Sequence, residues 1–137
     1  VSSIYGPHYN KIGIQGVIPT FIYKIKNNEE ILVYGTGEET RDYIYIDDLT
    51  DLLYSVLYKP FVSDIYNVGS GSGTSTNYII QSLINLSNKT PLIIYLSRFK
   101  DDIDKIILDI EKIKKIYDWK VNIQIEEGIK KCWENFN

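Results

Sequence analysis

Apolar residues recur at helical spacing in several stretches of the chain, and short β-prone runs stand between them. Ile18, Phe21, Ile22 and Ile25 mark a helix from Val17, with Pro19 tolerable only in its first turn and Asn27-Asn28 as its end. Leu49, Leu52, Leu53, Val56 and Leu57 repeat at i, i+3, i+4, i+7 and i+8, a second helix that Asp47 can cap and Pro60 stops. Ile79, Ile80, Leu83 and Leu86 form a third face behind a Ser75 cap. Ile106, Ile110, Ile113 and Tyr117 give a fourth, and Ile125, Ile129, Cys132, Trp133 and Phe136 a last one. Strands are predicted at Val1 to Ile4, which ends in the Tyr5-Gly6-Pro7 turn, at Ile31 to Tyr34, Tyr43 to Ile46 and Leu92 to Leu96, and as a buried run at Ile65 to Val68. Gly13 and Gly16 keep the loop after the first strand permissive. Alternating strands and helices of this kind predict an α/β fold.

The 137 residues suffice for one compact domain, and 44% apolar with 24% charged residues is ordinary for a globular protein. A net charge of −3, with Lys interleaved among Asp and Glu, argues against a nucleic-acid backbone as partner. No apolar run approaches the ~20 residues of a membrane span, and no signal segment opens the chain. Cys132 is the single cysteine, so an intrachain disulfide is excluded, which fits a reducing compartment; the cytoplasm is expected. Ala and Met are absent while Ile, Asn, Lys and Tyr abound, a bias that AT-rich coding produces whatever the function.

Gly69-Ser70-Gly71-Ser72-Gly73 follows a predicted strand and precedes a helix, as a dinucleotide cradle does. Its spacing is G-x-G-x-G, and no acid stands ~20 residues on, so a plain glycine turn is the better reading. Arg41 lies between a glycine loop and a β-prone run. Its guanidinium can grip a diphosphate through paired hydrogen bonds, or serve a structural salt bridge with a neighbour such as Asp42. Arg98, in a loop that ends at Asp101-Asp102, offers a cation for phosphate and a carboxylate for ribose hydroxyls, or a solvated loop charge. Asp47, Asp48 and Asp51 at a helix start are explained by capping and the helix dipole. His8, the lone histidine, reads as a loop residue. Tyr5, Tyr34, Tyr43, Tyr45 and Tyr66 can stack on a base but are more simply strand and core aromatics, and Trp119 and Trp133 are core candidates.

Ser3-Ile4-Tyr5-Gly6-Pro7, Gly16-Val17-Ile18-Pro19-Thr20-Phe21, Ile31 to Gly37 and the segment Thr40-Arg41-Asp42-Tyr43-Ile44-Tyr45-Ile46-Asp47-Asp48 occur in that order. Tyr66 to Gly71, the spacing of Arg98 to Asp101, Tyr117-Asp118-Trp119 and Glu126-Glu127-Gly128 follow. Together they resemble the C-terminal part of an extended short-chain dehydrogenase/reductase of the NAD-dependent epimerase/dehydratase family, UDP-glucose 4-epimerase-like, over nearly the whole chain. The resemblance implies the last part of a Rossmann-type fold with a small substrate-binding region. It implies that Arg41 and Arg98 bind the diphosphate of a UDP- or dTDP-sugar, that Asp101 faces the ribose, that Val17 touches the sugar nucleotide, and that the backbone of Leu32 and Tyr34 edges the base. Ser3 stands where the family usually has Asn near the sugar and nicotinamide.

The resemblance also implies a parent enzyme with bound NAD, dimeric and serving cell-surface polysaccharide synthesis, whose NAD-binding half precedes Val1. No Tyr in this chain has a Lys four residues on, so the Tyr-x-x-x-Lys pair is expected in that half and this chain alone is expected to hold substrate without turning it over. A sugar-nucleotide dehydratase and a non-catalytic nucleotide-sugar binding module are the alternatives.

Overall fold

The computed structural model describes residues 1–7, 15–60 and 62–136; the expectations for His8 and Gly13 lie outside them. The elements run β1 (Ser3–Tyr5), α1 (Val17–Lys26), β2 (Ile31–Tyr34), β3 (Thr40–Tyr45), α2 (Ile46–Tyr58), β4 (Gly73–Ser75), α3 (Thr76–Ser87), β5 (Ile93–Leu96), β6 (Lys105–Ile106), α4 (Glu111–Tyr117) and α5 (Ile125–Asn135). β3 is the hub: its C-terminal half pairs in parallel with β1, and its N-terminal half pairs antiparallel with β4 and parallel with β6. β2 and β5 form a separate parallel pair.

Local chemistry explains most boundaries. Pro19 sits in the first turn of α1, where its missing N–H costs nothing. Asn28 takes the left-handed conformation just after that helix, at φ 57°. The Ser75 side chain accepts from the Tyr78 N–H and caps α3, and Asn88 closes the same helix at φ 53°. Lys59, just before Pro60, is extended and ends α2. One core packs α1, α3 and α5 around β2 and β3, with Ile22, Ile25, Ile31, Ile79, Leu83 and Ile129 at its centre. A second joins α2 to α4 through Ile44, Leu52, Ile113, Tyr117 and Trp119.

The structure departs from the periodicity at several points. Ile65 to Val68 is not a strand: Ile65 is 88% exposed, Val68 packs into the second core, and its carbonyl accepts from the Ser2 N–H just before β1 at 2.7 Å. Ile106 belongs to β6 rather than to a helix, because Thr40 and Arg41 recruit Lys105 and Ile106 into the ladder and α4 starts only at Glu111. Asp47 is not the α2 cap; the helix begins at Ile46, after an extended Tyr45. Leu92 precedes β5 and is exposed, and within β5 Tyr95 is exposed while Ile93, Ile94 and Leu96 are half-buried. On α2 only Leu49 and Leu52 of the stripe of four leucines and Val56 are buried, and Leu53 and Leu57 stand in solvent.

Candidate functional site

Parallel pairing of β2 with β5 sets Tyr34 beside Leu96, so the loops that leave both strands emerge at the same end. The first loop turns at Gly35 and Gly37, both at positive φ (94° and 79°), a conformation in which any side chain is strained. Glu39 clamps this turn, its carboxylate accepting from the N–H groups of Thr36 at 3.1 Å and Gly37 at 2.9 Å. Backbone N–H groups, with Arg98 nearby, hold its carboxyl below the usual carboxylate range. The second loop, residues 97–104, lies against the first: Phe99 stacks on Tyr34 at 4.7 Å between ring centroids, and the Asp104 carbonyl accepts from the Thr40 N–H at 2.8 Å.

Between these loops, β3 and α1 lies a cavity of about 400 Å³. It is lined by Gly16, Val17, Thr20 and Phe21 from the start of α1, by Leu32, Val33 and Tyr34 from β2, by Arg41 and Tyr43 from β3, and by Glu39, Thr76 and Asp102. Arg41 Nη2 donates to Asp102 Oδ1 at 2.5 Å, and Nη1 to the Thr40 carbonyl at 3.0 Å. Arg98 reaches the same carboxylate from the other side, its Nε 4.0 Å from Asp102 Oδ2. It also donates to the Asp102 carbonyl at 2.5 Å and pairs with the Asp104 carboxylate. Two guanidiniums thus converge on one anion at the rim of a half-open, largely apolar cavity, an arrangement suited to a diphosphate attached to a flat ring.

Of the residues singled out in the sequence, Val17, Leu32, Tyr34 and Arg41 line this cavity, and Arg98 joins it through Asp102. Ser3 lies on β1 opposite the lining residue Tyr43, exposed and not itself part of the lining. Asp101 is exposed and outside the lining; its neighbour Asp102 is the acid that faces Arg41. Sequence reasoning missed Asp102 and Glu39, although the acidic pair at 101 and 102 signalled that one carboxylate would meet the arginines.

Asp42 is not the partner of Arg41. On a strand successive side chains point to opposite faces, and Asp42 is 2% exposed on the other side of β3. Its carboxylate accepts from the Ser70 N–H and hydroxyl, both at 2.7 Å, from the Gly71 N–H at 3.0 Å and from the Leu108 N–H at 3.2 Å. In the Gly69 to Gly73 turn the Ser70 and Gly71 N–H groups are therefore engaged by a protein carboxylate, and the Ser72 N–H by the Ser70 hydroxyl. The turn is structural and holds a buried carboxylate of the fold. Asp48, 1% exposed, likewise accepts from the Asn122 and Ile123 N–H groups at 2.9 and 3.0 Å and so ties α2 to the segment before α5. Among the described residues no group of three or more His, Cys, Asp or Glu is arranged to hold a metal ion, and no helix is long and apolar enough to cross a membrane.

Residues 1–69 match the model of the NAD dependent epimerase/dehydratase family. A dTDP-4-dehydro-6-deoxyglucose reductase of Escherichia coli is 34% identical over 96% of this chain and 42% of its own length. A UDP-glucuronate 4-epimerase of Thermodesulfobacterium geofontis is 38% identical over 85% and 37%, and the human dTDP-D-glucose 4,6-dehydratase 31% over 99% and 41%. The solved UDP-glucose 4-epimerase of Thermotoga maritima, in a structure with UDP-glucose, superposes at TM-score 0.87 with 32% identity, covering 98% of this chain and 43% of that one. The chain spans about two-fifths of the length of the curated relatives it matches. Its architecture is the C-terminal part of their Rossmann-type fold.

Proposed function

Because the chain belongs to the NAD-dependent epimerase/dehydratase family, we propose that it is the nucleotide-sugar-holding part of a UDP-sugar epimerase, UDP-glucose 4-epimerase-like and serving cell-surface polysaccharide synthesis. The observation that carries this reading is the convergence of Arg41 and Arg98 on one anionic position beside an apolar slot. In it the arginines hold the diphosphate, the β2 backbone at Leu32 and Tyr34 edges the base, and Val17 lies against the sugar nucleotide. Asp101 on the same loop serves the ribose, and Ser3 lies nearest the reacting end.

The catalytic Tyr-x-x-x-Lys pair and the NAD-binding half belong, in this reading, to polypeptide outside residues 1–137, in a cytoplasmic homodimer. The Lys would lower the Tyr pKa so that the phenolate accepts a hydroxyl proton, and NAD, where bound, would carry the hydride. Support comes from the surface: among the described residues β1 ends its sheet with an open edge, and Val1, Ile4, Leu53 and Leu57 are exposed apolar residues, as expected where a further layer packs. Residues 1–137 alone are inactive on this reading. A dTDP-sugar dehydratase part is the second reading, favoured by the dehydratase among the relatives.

Calorimetric titration with UDP and dTDP tests the reading. Arg41→Ala and Arg98→Ala each raise the UDP Kd by about 10- to 100-fold, as loss of a charged hydrogen bond worth about 1.5 to 3 kcal/mol requires. Unchanged affinity in both variants contradicts it.

A further inference from the structure

We propose that Asp102 is a built-in anion that stands at the diphosphate position between Arg41 and Arg98 and must be displaced for a nucleotide sugar to bind. The inference deepens the nucleotide-sugar reading above and rests on it. The Asp102 carboxylate sits between the two guanidiniums, 2.5 Å from Arg41 Nη2 and 4.0 Å from Arg98 Nε, and lines the cavity. That is the place a pair of phosphate oxygens would take on the same two cations.

Charge makes coexistence unfavourable. Glu39, Asp102 and Asp104 already face Arg41 and Arg98, so the cluster carries more carboxylates than guanidiniums before any ligand arrives. A diphosphate entering beside an unmoved Asp102 meets a like charge at contact distance and finds Arg41 Nη2 taken.

Exchange is within reach of one side chain. Asp102 is 27% exposed and Arg41 25%, so the displaced carboxylate can turn into water, where an ion pair of this kind contributes little. The loop itself need not leave. It is anchored before Asp102 by the Phe99 stack on Tyr34 and after it by the bond from Thr40 N–H to the Asp104 carbonyl. A rotation of the side chain therefore frees Arg41 while the loop keeps Arg98 in place. Asp104, by contrast, pairs with Arg98 at the exposed outer side and does not line the cavity.

The test is calorimetric titration of UDP and of inorganic pyrophosphate into the chain and its Asp102→Asn, Asp102→Ser and Asp104→Asn variants, with each fold checked by circular dichroism. Asp102→Asn and Asp102→Ser lower the Kd for both probes about tenfold, a change of about 1.4 kcal/mol, and Asp104→Asn lowers it less. Detectable binding in the Asp102 variants alone also supports the inference. UDP binding that is unchanged or weakened in both Asp102 variants overturns it and leaves the nucleotide site standing. If no protein in the series binds UDP, the nucleotide-sugar reading fails and the inference fails with it.

Discussion

Arg41 and Asp42 are consecutive on β3, yet they serve opposite regions of the molecule. Arg41 turns toward the cavity, where its guanidinium meets a carboxylate that solvent can reach. Asp42 turns inward, where four donors saturate it and no solvent competes. One face of the strand is built to exchange partners and the other to keep them. The difference arises from burial and donor supply: a carboxylate enclosed by backbone N–H groups leaves them unsatisfied if it goes, whereas one on a partly hydrated guanidinium can be replaced by any anion of similar shape.

Truncating Arg41 and Asp42 in turn separates the two faces most clearly. Asp42→Ala strips acceptors from three backbone N–H groups and should destabilise the fold by about 3 to 5 kcal/mol. Arg41→Ala should change stability by less than about 1 kcal/mol, its loss falling on ligand affinity. Urea unfolding of the two variants measures both, and equal losses would erase the distinction between the faces.

Gly69→Ala probes how rigidly the inner carboxylate is held. A Cβ there would stand 2.7 Å from Asp42 Oδ2, and Asp42 cannot retreat without breaking its bonds to the turn. A cost of about 1 to 3 kcal/mol is expected in the same unfolding assay. A neutral substitution would mean that the turn and Asp42 move together.

The alkaline response acts only above about pH 10. Burial, with nearby acidic groups adding to it, pushes the Tyr45 phenol up to about 12 and the Tyr5 phenol further. In the unfolded chain these phenols ionise near pH 10, so above that value the unfolded state releases protons that the native state keeps. Stability is whole below about pH 10 and falls toward pH 12 by about 1.4 kcal/mol per pH unit for each tyrosine. Tyr45→Phe should make that slope shallower; an identical slope would show that Tyr45 ionises alike in both states.

Much of this organisation is legible in the sequence, and the reasons for the exceptions are physical. The 17–25 periodicity, the Asn27-Asn28 stop, the Ser75 cap and the Ile31 to Tyr34 strand correspond to observed elements because each is decided by local chemistry. Ile65 to Val68 and Ile106 are decided by what lies beside them, and neighbour pairing is invisible to propensity. At the site, strand alternation alone separates Arg41 from Asp42. Which of Asp101 and Asp102 meets the arginines depends on the path of an irregular loop. The exposed half of the α2 stripe carries a different lesson: periodicity marks a face that can be buried, and here only part of it has something to pack against.

The most direct test of the Arg41 site is a crystal structure of the chain grown with UDP. The diphosphate should lie between Arg41 and Arg98 with the base against Leu32 and Tyr34 and the Asp102 carboxylate turned away, while Asp42 keeps its bonds to Ser70 and Gly71. Nucleotide bound elsewhere, with the Arg41 to Asp102 pair intact, would contradict the assignment of this cavity.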